Sequence, residues 1–206
     1  MGQITTRPRS VLSHPWVYDL FQTIMGAHRA RRNFSKNIIQ AHPGSRLLDM
    51  GCGTAQILNY LPKDIDYWGY DISPAYITAA KAKFGGKGHF ACRFLEESEL
   101  AAMPPFDIVL AIGLLHHLDD DTTRKMFYLA RIALKPGGRF VSLDPVLTAD
   151  QNFLARLLVN RDRGQHVRNG EGYLALARKE FYFAKGRMRH RLWIPYSHWI
   201  MECTRS

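Results

Sequence analysis

Four residues near one strand-to-helix turn could hold a nucleoside-bearing ligand. Asp49 lies near the end of the apolar run Arg46-Leu47-Leu48-Asp49-Met50, and Gly51-Cys52-Gly53-Thr54 follows directly. Glycines at 51 and 53 let the backbone turn sharply and let a ligand approach main-chain N–H groups with no Cβ in the way. Asp71 stands twenty residues past Gly51. That spacing brings an acid from the next strand tip onto a ribose, where one carboxylate serves two hydroxyls. A dinucleotide fingerprint would want a third glycine at position 56, where the chain has Gln56, and gains nothing from an acid two residues before the first glycine. A carboxylate at Asp49 opposes pyrophosphate and suits a positively charged ligand, such as an ammonium group beside a sulfonium.

These side chains need a strand–turn–helix frame, and the chain repeats one. Ser13 to Gln40 has helical spacing, reads as two helices broken near Gly26, and is ended by His42-Pro43-Gly44. Residues 46–50 make a buried strand, and Ala55 to Leu61 resumes helical spacing. Tyr67 to Asp71 is a second strand, Pro74 to Phe84 a helix capped by Ser73, and His89 to Leu95 a third strand. Phe106 to Ile112 is a fourth strand, Asp121 to Leu134 a helix, Lys135-Pro136-Gly137-Gly138 a stop, and Arg139 to Leu143 a fifth strand. Beyond Asp144-Pro145 come helices over Gln151 to Val159 and Glu171 to Phe181. A strand over Met188 to Ile194 then pairs with Trp199 to Cys203 as an antiparallel hairpin at the sheet edge. The expected fold is α/β: one doubly wound, mostly parallel sheet with helices on both faces and a C-terminal antiparallel hairpin. Residues 1–206 form a single domain on this reading, divided into an N-terminal helical segment (1–43), a cofactor-binding core (44–147) and substrate-side helices with the hairpin (148–206).

With 206 residues, 46% of them hydrophobic, the chain can bury one sizeable core, which excludes a disordered or collagen-like class. Its charge is unevenly spread. Residues 1–46 carry 7 basic and 1 acidic side chains, residues 47–147 carry 10 and 12, and residues 148–206 carry 11 and 5. Basic flanks around a slightly acidic middle fit an anionic partner, which could be nucleic acid, a phosphorylated metabolite or a membrane surface; a solvated basic face is the plain alternative. Three widely spaced cysteines, Cys52, Cys92 and Cys203, indicate neither a disulfide framework nor a zinc knuckle. No apolar leader or span of about 18 apolar residues is present, so a cytoplasmic protein is expected, with membrane contact peripheral at most.

Leu47-Leu48-Asp49-Met50-Gly51-Cys52-Gly53-Thr54 resembles the first motif of class I S-adenosylmethionine-dependent methyltransferases. Tyr70-Asp71-Ile72-Ser73 is similar to the family's ribose-binding turn, Phe106 through Leu118 to its fourth strand, and Lys135 to Phe140 to the turn before its fifth. The resemblance covers residues 44–147 in order. It departs at Ala55, where many members have a third glycine, and leaves the adenine acid ambiguous between Glu96 and Glu97. It implies S-adenosylmethionine as cofactor, with S-adenosylhomocysteine as product and no metal. Gly51, Gly53 and Thr54 would cradle the methionine part and Asp49 would face its amino group. Asp71 would take the ribose hydroxyls, Ile72 cover the adenine and Glu96 accept from the adenine amino group, while Ala111 and Ile112 pass near the methionine backbone.

Methyl transfer is an in-line displacement for which positioning and exclusion of water supply most of the acceleration. If the acceptor is a hydroxyl, His116 or His117, just past the fourth strand, could remove its proton; a hydrogen-bonded structural pair is the alternative. Arg161, Arg163 and Arg168 could clamp a phosphate or carboxylate, or lie in a solvated loop, and Tyr18 and Tyr173 are candidate pocket walls. The ranking puts a small-molecule, glycan or lipid-linked acceptor first, methylated on oxygen or nitrogen. RNA held by the basic flanks comes second, and a non-catalytic cofactor-binding or interaction module of the same fold third. The oligomeric state is left open.

Overall fold

The computed structural model describes residues 27–148, 166–191 and 194–206. The helix expected within 13–26 and the one over 151–159 lie outside the described residues, and so do Tyr18, Arg161 and Arg163.

One seven-stranded sheet organises the rest. β1 (Arg46–Met50), β2 (Asp66–Asp71), β3 (His89–Cys92), β4 (Phe106–Ile112) and β5 (Leu134–Pro145) run parallel. β6 (Phe183–Arg191) and β7 (Ile194–Thr204) form an antiparallel hairpin in which β7 also pairs antiparallel with β5. The order is β3-β2-β1-β4-β5-β7-β6. After β3 the chain crosses back to lay β4 on the other side of β1, so a crevice opens at the carboxyl ends of β1 and β4, where sheets of this kind hold ligands.

Each strand divides its residues between two cores by simple alternation. On β4, Val109 and Ala111 face one core and Ile108 and Leu110 the other; on β1, Leu48 and Met50 are set against Leu47. The first core is covered by α3 (Glu97–Ala101), α4 (Asp120–Ala133) and α5 (Gly170–Ala177). The second is covered by α1 (Ala27–Phe34) with its π-helical extension Ser35–Ile39, the 3₁₀ segment Gln56–Tyr60 and α2 (Pro74–Phe84). Side-chain caps set three helix starts: Ser73 Oγ accepts the Tyr76 N–H at 3.4 Å, Asp119 Oδ1 the Thr122 N–H at 2.8 Å, and Asn169 Oδ1 the Gly172 N–H at 2.7 Å.

The departures from expectation have local causes. The helix expected over Ala55 to Leu61 is only the 3₁₀ segment, because Pro62 forces Leu61 into an extended conformation, φ −90° and ψ 163°. β3 ends at Cys92 because its partner β2 ends at Asp71, directly opposite. Lys135 to Gly138, expected as a stop, lie within β5 beside a register shift against β4, and Gly137 takes φ +76° while donating to the Arg205 carbonyl. α3 carries too few residues to show helical periodicity in sequence. α5 ends four residues before the expected Phe181, and β6 begins five residues before the expected Met188. Trp199 on β7 packs against Gly170 and Gly186, where a Cβ at either would overlap the indole.

Candidate functional site

The glycine turn after β1 is built on the tip of β2. The N–H groups of Gly51 and Cys52 both donate to the Tyr70 carbonyl, at 2.7 and 3.0 Å, while Asp71 accepts the Gly53 N–H on Oδ2 at 2.9 Å and the Ser73 N–H on Oδ1 at 2.8 Å. One carboxylate thus ties the glycine turn to the start of α2 and, with two lone pairs on each oxygen, keeps further acceptor capacity. Gly51 has φ +75° and Gly53 φ +53°. A Cβ on Gly53 would point into open space, whereas one on Gly51 would meet Leu114 Cδ1 at 2.8 Å, so Leu114 leans over the turn. Ala55, where the sequence departs from the motif it resembles, has φ +54°, and an L residue in this region carries strain of about 1 kcal/mol or more.

Asp49 is the unusual member of the site. It is fully enclosed, its Oδ2 accepts the Tyr67 hydroxyl at 2.7 Å, and its Oδ1 is buried with no hydrogen-bond partner. Burial pushes its carboxyl up to about 7, opposed by the Tyr67 hydrogen bond and reinforced by the charge of Asp71. Burial, together with the charge of Asp49, holds the Tyr67 hydroxyl well above its usual range. Gly69 faces Asp49 across the β1–β2 register, and a side chain there would collide with Cys52 and Tyr67. Tyr67 and Gly69 escaped sequence reasoning. The available signal was strand alternation, which puts residues 67, 69 and 71 on one face beside Asp49.

Ile72 is 56% exposed, an unusual cost for a large apolar side chain at a strand tip. Of the two candidate acids past β3, Glu97 accepts the Tyr128 hydroxyl at 2.8 Å on α4, whereas Glu96 is exposed at the start of α3. Thr54 is buried in the turn; Ala111 faces the first core and Ile112 packs at the margin of the second. These two β4 residues therefore offer the crevice little beyond their backbone.

The two histidines differ sharply. His116 is buried and puts both its backbone N–H (3.3 Å) and its Nδ1 (2.9 Å) on Asp144 Oδ1 at the end of β5. Asp144 is itself buried, and its Oδ2 has no hydrogen-bond partner. His117 is exposed and lies against the His116 ring, centroids 4.0 Å apart. Asp144 was not singled out from the sequence because its partner lies 28 residues away.

Arg168 uses its whole guanidinium within the fold. It donates to the carbonyls of Leu115 (3.1 Å), Leu118 (2.8 Å) and His166 (3.1 Å) and to Asp120 Oδ1, and it stacks over Tyr173. This staples the histidine loop to the segment before α5 and leaves little for an anion. Tyr173 is fully buried and donates to the Pro145 carbonyl, a core residue rather than a pocket wall. Arg168→Ala is expected to lower stability by about 2 kcal/mol in urea unfolding, because partly buried carbonyls lose their donors. An unchanged unfolding midpoint would contradict the staple. Among the described residues no group of three His, Cys, Asp or Glu could hold a metal ion, and no helix is long and apolar enough to cross a membrane.

The chain is similar to known proteins in sequence and in fold. Residues 48–140 match the family model described as a methyltransferase domain. A ubiquinone/menaquinone biosynthesis C-methyltransferase of Burkholderia mallei is 29% identical over 136 residues, 62% of this chain and 55% of the relative. The chain therefore spans about half the length of the curated relatives it matches. Phosphoethanolamine N-methyltransferase 2 of Haemonchus contortus, solved with phosphomonomethylethanolamine and S-adenosylhomocysteine, superposes with a TM-score of 0.70 at 14% identity, over 94% of this chain and 58% of that one. The YcgJ protein of Bacillus subtilis superposes with a TM-score of 0.64 at 13% identity, over 86% of this chain and 99% of that one. The fold is the Rossmann-like α/β fold that these neighbours share. Together with the methyltransferase-domain match over residues 48–140, it supports reading the chain as a class I S-adenosylmethionine-dependent methyltransferase.

Proposed function

We propose that the chain binds S-adenosylmethionine at the carboxyl ends of β1, β2 and β4 and transfers its methyl group to a small-molecule, glycan or lipid-linked acceptor. The observation that carries the reading is the buried, unpartnered Asp49 Oδ1 beside two positive-φ glycines and beneath a ribose-spaced acid. A carboxylate so placed is costly unless a cationic donor completes it. The cofactor's ammonium is such a donor.

In this site Asp71 holds the ribose hydroxyls with the lone pairs that Gly53 and Ser73 leave open. Gly51, Gly53 and Thr54 admit the methionine part against the backbone. Ile72 covers the adenine, which removes its apolar surface from water, and Glu96 accepts from the adenine amino group. Ala111 and Ile112 line the passage through their backbone. When bound, the cofactor supplies a methyl group activated by a sulfonium. The chain's own contribution is to align the acceptor and keep water out. The relative named as a C-methyltransferase supports a small-molecule acceptor and adds carbon to oxygen and nitrogen as acceptor atoms. Residues 1–206 act as one domain on this reading, residues 44–147 form the cofactor module, and free Cys52, Cys92 and Cys203 fit a reducing, cytoplasmic setting.

His117 is the residue placed to take a proton from a hydroxyl acceptor, since it is the exposed member of the pair, while His116 braces it from Asp144. With such an acceptor, His117→Ala is expected to lower kcat by about a hundredfold or more. His116→Ala is expected instead to cost stability of about 3 kcal/mol by stranding the buried Asp144. Equal effects of the two substitutions on kcat, with no stability difference, would refute the division of labour. Calorimetry with S-adenosylhomocysteine tests the cofactor reading, and no binding heat at millimolar ligand would end it. A radiolabelled methyl donor offered to small-molecule, protein and RNA fractions tests the acceptor; label confined to RNA would reverse the ranking.

A further inference from the structure

The surplus basic charge of the C-terminal flank has a definite location. Along β6, Phe183, Lys185, Arg187 and Arg189 stand opposite Thr204, Glu202, Ile200 and His198, and through β7 opposite Arg139, Val141, Leu143 and Pro145 of β5. All therefore lie on one face of the sheet, the face covered by α1, whose π-helical extension takes the Arg139 guanidinium on its Ile38 and Ile39 carbonyls. Glu202 is the acid they share. It lies 3.5 Å from Arg187, 3.7 Å from Arg139 and 3.9 Å from Lys185, so one carboxylate meets three cations and the stripe keeps a net positive charge. At the lower end of the stripe two aromatic rings are displayed to solvent, Tyr182 at 84% and Phe183 at 59% exposure. At the upper end Arg189 is level with Pro145, one residue past the Asp144 that anchors His116.

We propose that this edge of the sheet docks the protein on an anionic lipid bilayer. A strand rises about 3.3 Å per residue, so the stripe from Phe183 to Arg189 is about 20 Å long. Basic side chains along it match the negative surface potential of anionic lipids, and exposed aromatic rings are at home at the headgroup level. The ring geometry favours a bilayer over single-stranded RNA. Tyr182 and Phe183 meet edge to face at 88° with centroids 4.8 Å apart, which makes a wedge rather than the successive parallel platforms on which bases stack. The same docking covers β6, the edge strand of the described sheet. It stands or falls independently of methyl transfer.

The test is sedimentation of the full chain with vesicles of phosphatidylglycerol and phosphatidylcholine, against vesicles of phosphatidylcholine alone and against poly(U). Binding is expected to the anionic vesicles and to weaken steeply with added salt. The double variant Lys185→Gln/Arg187→Gln is expected to lose about thirtyfold in affinity, at roughly one cationic contact each. Tyr182→Ser/Phe183→Ser is expected to weaken the binding that survives at high salt. All four side chains are exposed, and unfolding midpoints close to that of the unsubstituted protein will confirm intact folds. Equal or absent binding to the two vesicle types, poly(U) bound more tightly than vesicles, or a Gln double variant that binds as before would each overturn the proposal.

Discussion

Asp71→Ala is expected to weaken S-adenosylhomocysteine binding by about a hundredfold or more. The carboxylate would accept both ribose hydroxyls while already accepting the Gly53 and Ser73 N–H groups, so its loss removes the ligand's partner and the brace of the glycine turn together. Hydrogen bonds to a charged group are worth about 1.5–3 kcal/mol each, and two of them account for the effect. Asp71→Asn should recover only part of it, because its amide group confronts either the Gly53 or the Ser73 N–H with a second donor. Titration calorimetry measures both variants. Affinity unchanged in the alanine variant would remove Asp71 from the site, and a loss in unfolding stability near 1 kcal/mol is expected alongside, from the two backbone groups left to water.

A second large effect is expected from Asp49, and it depends on pH. The free protein holds this carboxyl up to about 7 because it is buried, whereas an unfolded chain releases the proton near 3.8. Between those values the folded state binds the extra proton, so stability of the ligand-free protein falls as pH rises through that window, by up to about 4 kcal/mol in total. A cationic ligand reverses the preference, since it binds the ionised form. Cofactor affinity should therefore rise from about pH 6 to about pH 8 and then level, with proton release on binding visible as a buffer-dependent heat. Asp49→Asn should bind about tenfold or more weakly at pH 8, show no such rise, and be more stable than the unsubstituted protein at neutral pH. An affinity that stays flat with pH in the unsubstituted protein would mean that Asp49 does not meet the ligand's charge.

Much of this architecture is legible in the chain because local rules suffice for it. Apolar runs bounded by glycine and proline mark β1, β2 and β4, and Ser73-Pro74 marks the start of α2. The residues from Asp49 to Asp71 proposed to meet the cofactor lie within two consecutive strand–turn units, so spacing alone brings them together. What spacing does not reveal depends on contacts across the sheet. Tyr67 reaches Asp49 only because Gly69 leaves the intervening position bare, and Asp144 meets His116 only once β5 lies beside β4. Arg168 shows the converse. Its charge drew attention as an anion clamp, yet the structure closes that charge onto four acceptors of its own chain. The short 3₁₀ segment after Ala55 shows how a single proline can overrule a helical pattern.

The place of β7 has a consequence for synthesis. It leaves the ribosome after the other six strands described here, yet it lies inside the sheet, between β5 and β6. Among the described strands β6 pairs only with β7, so until Thr204 has emerged it lacks that partner and β5 keeps an open edge along Arg139 to Pro145. The first five strands can assemble co-translationally, but the edge that carries the basic stripe exists only after the hairpin folds back and inserts. A nascent chain therefore acquires the crevice at β1 and β4 before it acquires its outer edge. A stop codon a dozen codons upstream of position 204 would strip two strands from the sheet at once.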